Sequence, residues 1–209
     1  MARRLEVKKR GNKKRRQKVV YLIIAEGRNK TETLYLSNFQ EQSRNFIIRF
    51  VKAGSNTDAE SLYKTMLKKW KELGLDAGEG DRGFIVLDMD NDKLKAEKII
   101  ELNNKKSNSA ISFITSNPAF EIWFLLHFKY TTKFYRDCDS VISDLKKYIP
   151  NYDKNVDCFP VCEDMTQKAI KNAEKLGTFF SNEIWPSVEC NPRTDVMELV
   201  KLLMEDNER

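Results

Sequence analysis

Three observations place this chain in the α/β class, with a mainly parallel sheet of about four strands flanked by helices and a helical C-terminal extension. Short apolar runs rich in β-branched residues recur four times between Val19 and Thr115, each followed by a segment of helical spacing. Three of those runs stop at acidic or amide residues, where an open parallel sheet presents its ligand site. From Tyr130 onward the strand pattern lapses and helical spacing continues alone.

Taken in order, Val19 to Ala25 reads as a strand buried on both faces, ending at Glu26-Gly27. Thr31-Glu32-Thr33 can cap a helix whose Leu34, Tyr35 and Phe39 fall on or near one face, ending around Ser43. Phe46 to Val51 makes the second strand, and Gly54-Ser55-Asn56 turns the chain into a helix carrying Leu62, Met66, Leu67 and Trp70. A polar, glycine-rich link from Gly74 to Gly83 leads to Phe84 to Leu87, a third strand that runs straight into Asp88-Met89-Asp90-Asn91-Asp92. Lys93 to Leu102 is a helix, Ala110 to Thr115 the fourth strand, and Ser116-Asn117-Pro118 opens the helix of Phe120, Trp123, Phe124 and His127. Further helices are predicted near Ser140 to Tyr148, Glu163 to Leu176 and Thr194 to Met204. This order implies a right-handed series of parallel crossovers. Residues 1–18 form a basic arm, 19–128 the core and 129–209 an extension packed on it.

The 209 residues carry 37 Lys plus Arg against 31 Asp plus Glu, one His and a formal net charge of +6. The charge is uneven. Arg3, Arg4, Lys8, Lys9, Arg10, Lys13, Lys14, Arg15, Arg16 and Lys18 face Glu6 alone, a local net of +9 that leaves −3 on the rest. Nucleic acid is the natural partner of such an arm, which gains affinity by releasing counterions from phosphates. No aromatic residue interleaves with these bases, so the arm would hold a backbone without reading sequence. A solubilising tail, or a strip that docks on an acidic partner surface, are the other readings.

No apolar run approaches the roughly 18 residues of a membrane span. Seven apolar residues follow the arm, and a glutamate comes next where a leader would have a small-residue cleavage site. The chain therefore reads as cytoplasmic, with no membrane partner. Cys138, Cys158, Cys162 and Cys190 lack the density of a disulfide framework and read as reduced, structural thiols. Cys158 and Cys162 could contribute to a zinc site, but no CxxC pair or second His completes one.

The strand ends concentrate carboxylates. Glu26 follows the first strand, and Asp88 and Asp90, with Asp92 close by, follow the third. Along an extended chain Asp88 and Asp90 point to one side, where they repel unless a cation lies between them. Magnesium suits that pair, since it takes one or two carboxylates plus waters and substrate phosphates. Asp88 and Asp90 would be the ligands and Asp92 a weaker third; Glu26 could complete the shell or act as general base. Gly27 would let the backbone turn and a phosphate approach closely. The plainer reading is a solvated acidic turn. A calcium loop of EF-hand type fails, because no glycine follows Asp92 and no helix precedes the loop.

Glu26-Gly27 with Asp88-x-Asp90 resembles the signature of the Toprim domain, the Rossmann-like catalytic module of topoisomerases, primases and OLD-family nucleases. Further blocks narrow the resemblance: Glu26-Gly27-x-x-x-Thr31-Glu32-x-x-Tyr35, Asp88-x-Asp90-x-Asp92, Ser116-Asn117-Pro118-x-Phe120-Glu121-x-Trp123-x-x-x-His127-Phe128 and Asn191-Pro192-x-Thr194. In this order they are similar to the RloB family, which includes AbiLii-type abortive-infection proteins. The resemblance implies a Toprim-like fold and a Mg²⁺-dependent nuclease, with Mn²⁺ as a substitute, acting on RNA, tRNA included, or DNA. It also implies bacterial antiviral defence beside a partner ATPase of the AAA/ABC type. Glu26 would be the acid/base and Asp88 and Asp90 the metal ligands. A non-catalytic, Toprim-shaped regulatory subunit of the ATPase is the competing expectation.

Phe120 to Phe128 is apolar on nearly every face and so predicted to be central. Glu121 in its first turn suits the helix dipole and reads either as a structural acid or as another site carboxylate. Glu32, in the first turn of the first helix, belongs to the same candidate set. His127 reads as a satisfied core histidine. Ser116 and Asn117 precede a helix start, where they serve as caps or face a phosphate.

Overall fold

The structure, a computed structural model, describes residues 18–26, 31–42, 45–54 and 57–208, with the backbone alone at 41–42 and 207–208. Of the predicted site, Gly27 and the arm bases Arg3, Arg4, Lys8, Lys9, Arg10, Lys13, Lys14, Arg15 and Arg16 lie outside the described residues.

Five strands form one sheet in the order β2-β1-β3-β4-β5. They are β1 (Val19–Ala25), β2 (Phe46–Val51), β3 (Arg82–Asp88), β4 (Ile111–Asn117) and β5 (Arg193–Thr194). The first four run parallel, and β5 pairs antiparallel with the end of β4. Crossover helices α1 (Thr31–Gln42), α2 (Ala59–Glu72) and α3 (Lys93–Lys105) join them, and α4 (Glu121–Phe128) leads into the extension. There α5 (Cys138–Leu145), the one-turn α6 (Phe159–Cys162), α7 (Thr166–Phe179) and α8 (Val196–Glu208) follow.

Period-two alternation divides the buried strand residues between two cores. Tyr21, Ile23, Phe84, Val86 and Ile114 face the side covered by α1, α4, α7 and α8. Leu22, Ile24, Ile85, Leu87, Ile111 and Phe113 face α2 and α3, where Leu62, Met66, Trp70 and Ile99 meet them. The first core runs from Tyr21 to Leu203, so one apolar cluster joins residues on both sides of position 128. Helix α4 lies within it, with every residue from Glu121 to His127 buried, as its all-round apolar sequence requires.

Two of the departures from the sequence reading have a plain physical cause. β3 begins at Arg82, two residues early, and takes in Gly83. A Cβ at Gly83 would stand 3.0 Å from Ile111 Cγ1 and 3.2 Å from Met66 Sδ, so this glycine permits close strand–helix approach. Thr194, predicted to start a helix, instead ends β5, and α8 starts at Val196. Two ladder residues are too few to show a period of two, so this strand left no pattern to read. Among the described residues no helix is long and apolar enough to cross a membrane.

Candidate active site at the strand ends

Glu26 follows β1, where its amide donates to Val86 O at 3.0 Å and keeps the strand edge in register with β3. β3 ends at Asp88, and the chain then turns. Met89 N donates to Ser116 O at 2.7 Å, Asp90 N to Pro118 O at 2.9 Å and Asp92 N to Met89 O at 2.9 Å. Asp90 and Asn91 have φ of 54° and 55°, a left-handed conformation that Asp and Asn tolerate best among residues with a side chain. This corrects one premise. Asp90 stands on a turn rather than on the strand, so side-chain alternation is not what relates it to Asp88. Asp92 turns to α3, where its Oδ1 accepts from Leu94 N and Lys95 N at 2.8 and 3.2 Å as the N-cap.

Two of the predicted carboxylates, Glu26 and Asp90, meet a cation that the sequence reading missed. Lys95 Nζ lies 2.9 and 2.7 Å from the two oxygens of Glu26 and 3.0 Å from Asp90 Oδ2. Its side chain is only 14% exposed. Burial works to lower the Lys95 pKa, and the two carboxylates more than offset it. Burial raises Glu26 above the ordinary carboxylate value, opposed by Lys95 and reinforced by Asp90.

Deeper in, three more acids gather. Burial, followed by the charges of Glu121, Glu32 and Asp90, pushes Asp88 well above its ordinary value, although the Phe120 amide opposes this. Glu32 is buried, its Oε2 has no hydrogen-bond partner, and burial pushes its pKa up to about 7 with help from the Glu121 charge. Thr31, one residue before, donates its hydroxyl to Lys154 O and so fastens the start of α1 to the 152–154 turn. Glu121 accepts from Tyr152 Oη at 2.8 Å and from Cys138 Sγ at 3.2 Å, with Lys154 Nζ at 3.9 Å. The structure thus gathers Glu26, Glu32, Asp88, Asp90 and Glu121 into one electrostatic cluster, countered by Lys95 and Lys154. Nothing local announced the lysines: Lys154 lies 33 residues beyond Glu121 in an irregular link.

Ser116 and Asn117 serve this cluster from behind. Ser116 Oγ bonds Thr194 Oγ1 at 2.7 Å. Asn117 donates to Ser187 O and Cys190 O, and its Oδ1 accepts Asn91 N at 3.2 Å. Asn191 donates to Asn91 Oδ1 at 2.6 Å and to Tyr135 O at 2.7 Å, while Asn91 donates to Tyr135 O and Arg136 O. Three asparagines therefore hold the acidic turn in its left-handed shape, which gives the Asn191 and Asn117 blocks a physical role. Neither Ser116 nor Asn117 caps α4; Asp88 Oδ1 does so by accepting Phe120 N at 2.8 Å.

His127 is buried with Nδ1 2.9 Å from Trp123 O, and burial lowers its pKa to about 4. Its Nε2 has no partner among the described residues, so the histidine is half satisfied and neutral. All four cysteines are free.

Among the described residues no three acidic, histidine or cysteine side chains are grouped to hold a metal unaided. Magnesium asks for less, completing its shell with waters and substrate oxygens. The residues fit such an ion on two counts: an unpartnered buried oxygen on Glu32, and the existing convergence of Glu26 and Asp90 on one cation.

The chain matches no curated protein and no solved structure at a significant level. Residues 21–203 match the family described as RloB-like protein. That span takes in both ends of the sheet, Glu26, the acidic turn, Glu121 and the asparagine clamp, and the chain belongs to the RloB-like family.

Proposed function

We propose that this protein is a Mg²⁺-dependent phosphodiesterase of Toprim type that cuts RNA or DNA. One observation carries the reading: carboxylates from two neighbouring strand ends, Glu26 and Asp90, close on a single cationic point 2.7 to 3.0 Å away, beyond the carboxyl ends of a parallel sheet. Asp88, Asp90 and Glu26 would hold the metal, Mg²⁺ or Mn²⁺, which supplies positive charge to polarise a phosphate. Glu26, its proton affinity raised by burial, is placed to take a proton from an attacking water or hydroxyl. Lys95 keeps the Glu26 and Asp90 pair compatible at close range and presents an ammonium for a phosphate oxygen. Glu121 and Glu32 act from below, raising Asp88 by their charge.

The arm would supply attraction to nucleic acid that the −3 body lacks. A partner ATPase of AAA/ABC type, a role in antiviral defence and a cytoplasmic setting are carried by the family resemblance of the motif blocks. The test is to incubate the pure protein, with and without the ATPase, with tRNA and with plasmid in Mg²⁺. Cleavage should vanish in Glu26→Gln and Asp88→Asn. Cleavage that survives both removes the assignment.

A second reading, a non-catalytic regulatory subunit, draws on the fact that Lys95 already neutralises the gap and that no three-ligand group is present among the described residues. On that reading alanine at Glu26 or Asp90 leaves defence intact, while loss of the C-terminal helices abolishes it.

A further inference from the structure

Between α5 and the 152–154 turn lies a cavity of about 340 Å³ lined by Asp139, Ile142, Lys146, Tyr152, Asp153 and Lys154, within the range of small-molecule sites. Residues 139, 142 and 146 recur at helical spacing on one side of α5 and its first following turn. Val141, Asp144 and Leu145 are the residues that α5 buries. The helix thus has one side for the core and one for the cavity.

The cavity shares a wall with the carboxylate cluster. Tyr152, which lines it, donates its hydroxyl to Glu121 Oε1 at 2.8 Å. Lys154, which also lines it, places Nζ 3.9 Å from the same oxygen. Cys138, next to Asp139, donates its thiol to Glu121 Oε2 at 3.2 Å. Lys154 is therefore common to both, and its charge interacts with Asp88 as well as Glu121.

The lining is chemically mixed: two ammonium groups, two carboxylates, one aliphatic face and a phenol committed to Glu121. A simple anion would meet Asp139 and Asp153, and a simple cation Lys146 and Lys154. An apolar ligand would desolvate all four. A nucleotide answers every group. It brings a phosphate for the lysines, hydroxyl or exocyclic amino donors for the carboxylates, and a flat base for Ile142.

We propose that this cavity binds one nucleotide of the substrate strand, beside the phosphodiester that the carboxylate cluster addresses. That placement rests on the phosphodiesterase reading; the binding does not. The full chain, kept in EDTA, would be titrated calorimetrically with AMP, CMP, GMP, UMP and inorganic phosphate. At least one mononucleotide should bind more tightly than phosphate, and Ile142→Trp, which fills the cavity, should weaken it about tenfold or more, a change of roughly 1.4 kcal/mol. Lys146→Ala, an exposed change that leaves folding intact, should weaken it in the same direction. Absence of mononucleotide binding, equal binding of bare phosphate, or full binding by both variants overturns the inference. Because no metal and no cleavage enter the measurement, its failure is separate from that of the phosphodiesterase reading. A protein that binds mononucleotides here yet cuts nothing loses the enzyme and keeps the pocket.

Discussion

Asp88 Oδ1 accepts the Phe120 amide at 2.8 Å, so the carboxylate that ends β3 also caps the helix that follows β4. The capping residue of α4 supplies no side-chain bond of its own, and a helix start leaves amides in need of an acceptor. One side chain thus carries two duties that pull apart: a helix start favours its charge, whereas burial and three neighbouring acids oppose it.

Substitutions at Asp88 should separate these duties. Asn keeps an oxygen for the Phe120 amide and removes the opposed charge; Ala removes both. A carboxyl raised in the folded state stabilises the fold at low pH and loses that contribution as pH rises through and above its ordinary 3.8. In metal-free buffer at pH 7 to 8, Asp88→Asn should melt higher than wild type by about 2–4 °C, the equivalent of roughly 1 kcal/mol at this size. Asp88→Ala should lose about 1 kcal/mol or more through the missing cap. Calorimetric melting checks both signs.

Glu32 and His127 give opposed pH slopes in one window. Glu32, raised from 4.5 to about 7, contributes stability below pH 4.5 that disappears as pH climbs to 7. His127, lowered from 6.5 to about 4, contributes stability above pH 6.5 that disappears as pH falls toward 4. Each is on the order of 3 kcal/mol, and between pH 4.5 and 6.5 they offset one another. Urea denaturation across that window should be nearly flat in wild type with respect to these two groups. Glu32→Gln should leave a curve that rises with pH, and His127→Phe one that falls.

Removing Lys95 tests the cation position. Lys95→Met leaves Glu26 and Asp90 facing each other without their shared ammonium. In EDTA the variant should melt several degrees below wild type, and millimolar Mg²⁺ should recover more stability in the variant than in wild type, by the ordinary linkage of binding to folding. Equal Mg²⁺ responses in the two proteins would place the ion elsewhere.

Asn191→Ala should loosen the acidic turn without melting the sheet. Asn191 accepts Tyr135 N at 3.0 Å and donates to Asn91 Oδ1 and Tyr135 O, so truncation leaves buried groups unpaired at about 1–3 kcal/mol. Hydrogen exchange should rise at Met89, Asp90 and Asn91 before it rises in β1 or β3.

β1, β3 and β4 were legible because each is a buried run whose composition suits burial on two faces, the half-exposed edge strand β2 because its short run is rich in aromatic and β-branched residues, and the helices between them because apolar residues recur at helical spacing. Glu26, Asp88 and Asp90 were legible because parallel topology sends ligands to strand ends. Asp90 reached its place by a route the pattern could not show, since left-handed backbone at Asp or Asn leaves no periodic trace. Lys154 and Tyr152 were missed for a related reason, since their roles arise from packing between an irregular link and α4, and Lys95 because nothing in the first turn of α3 shows that it reaches Glu26, 69 positions earlier. β5 was missed because two residues carry no pattern, although Asn191 beside it and Thr194 within it stood in a motif block whose purpose only the clamp explains.

The Asn91–Asn191 bond spans 100 positions of chain. During synthesis, the segment with Glu26, Asp88, Asp90 and Glu121 leaves the ribosome well before the asparagine that fixes the acidic turn, and at ordinary elongation speeds that interval lasts about 4–14 s. A nascent or prematurely released chain therefore displays every acid of the site while lacking the clamp that orders them. The completed molecule therefore acquires its ordered acidic turn late, only once Asn191 has joined Asn91 and Tyr135.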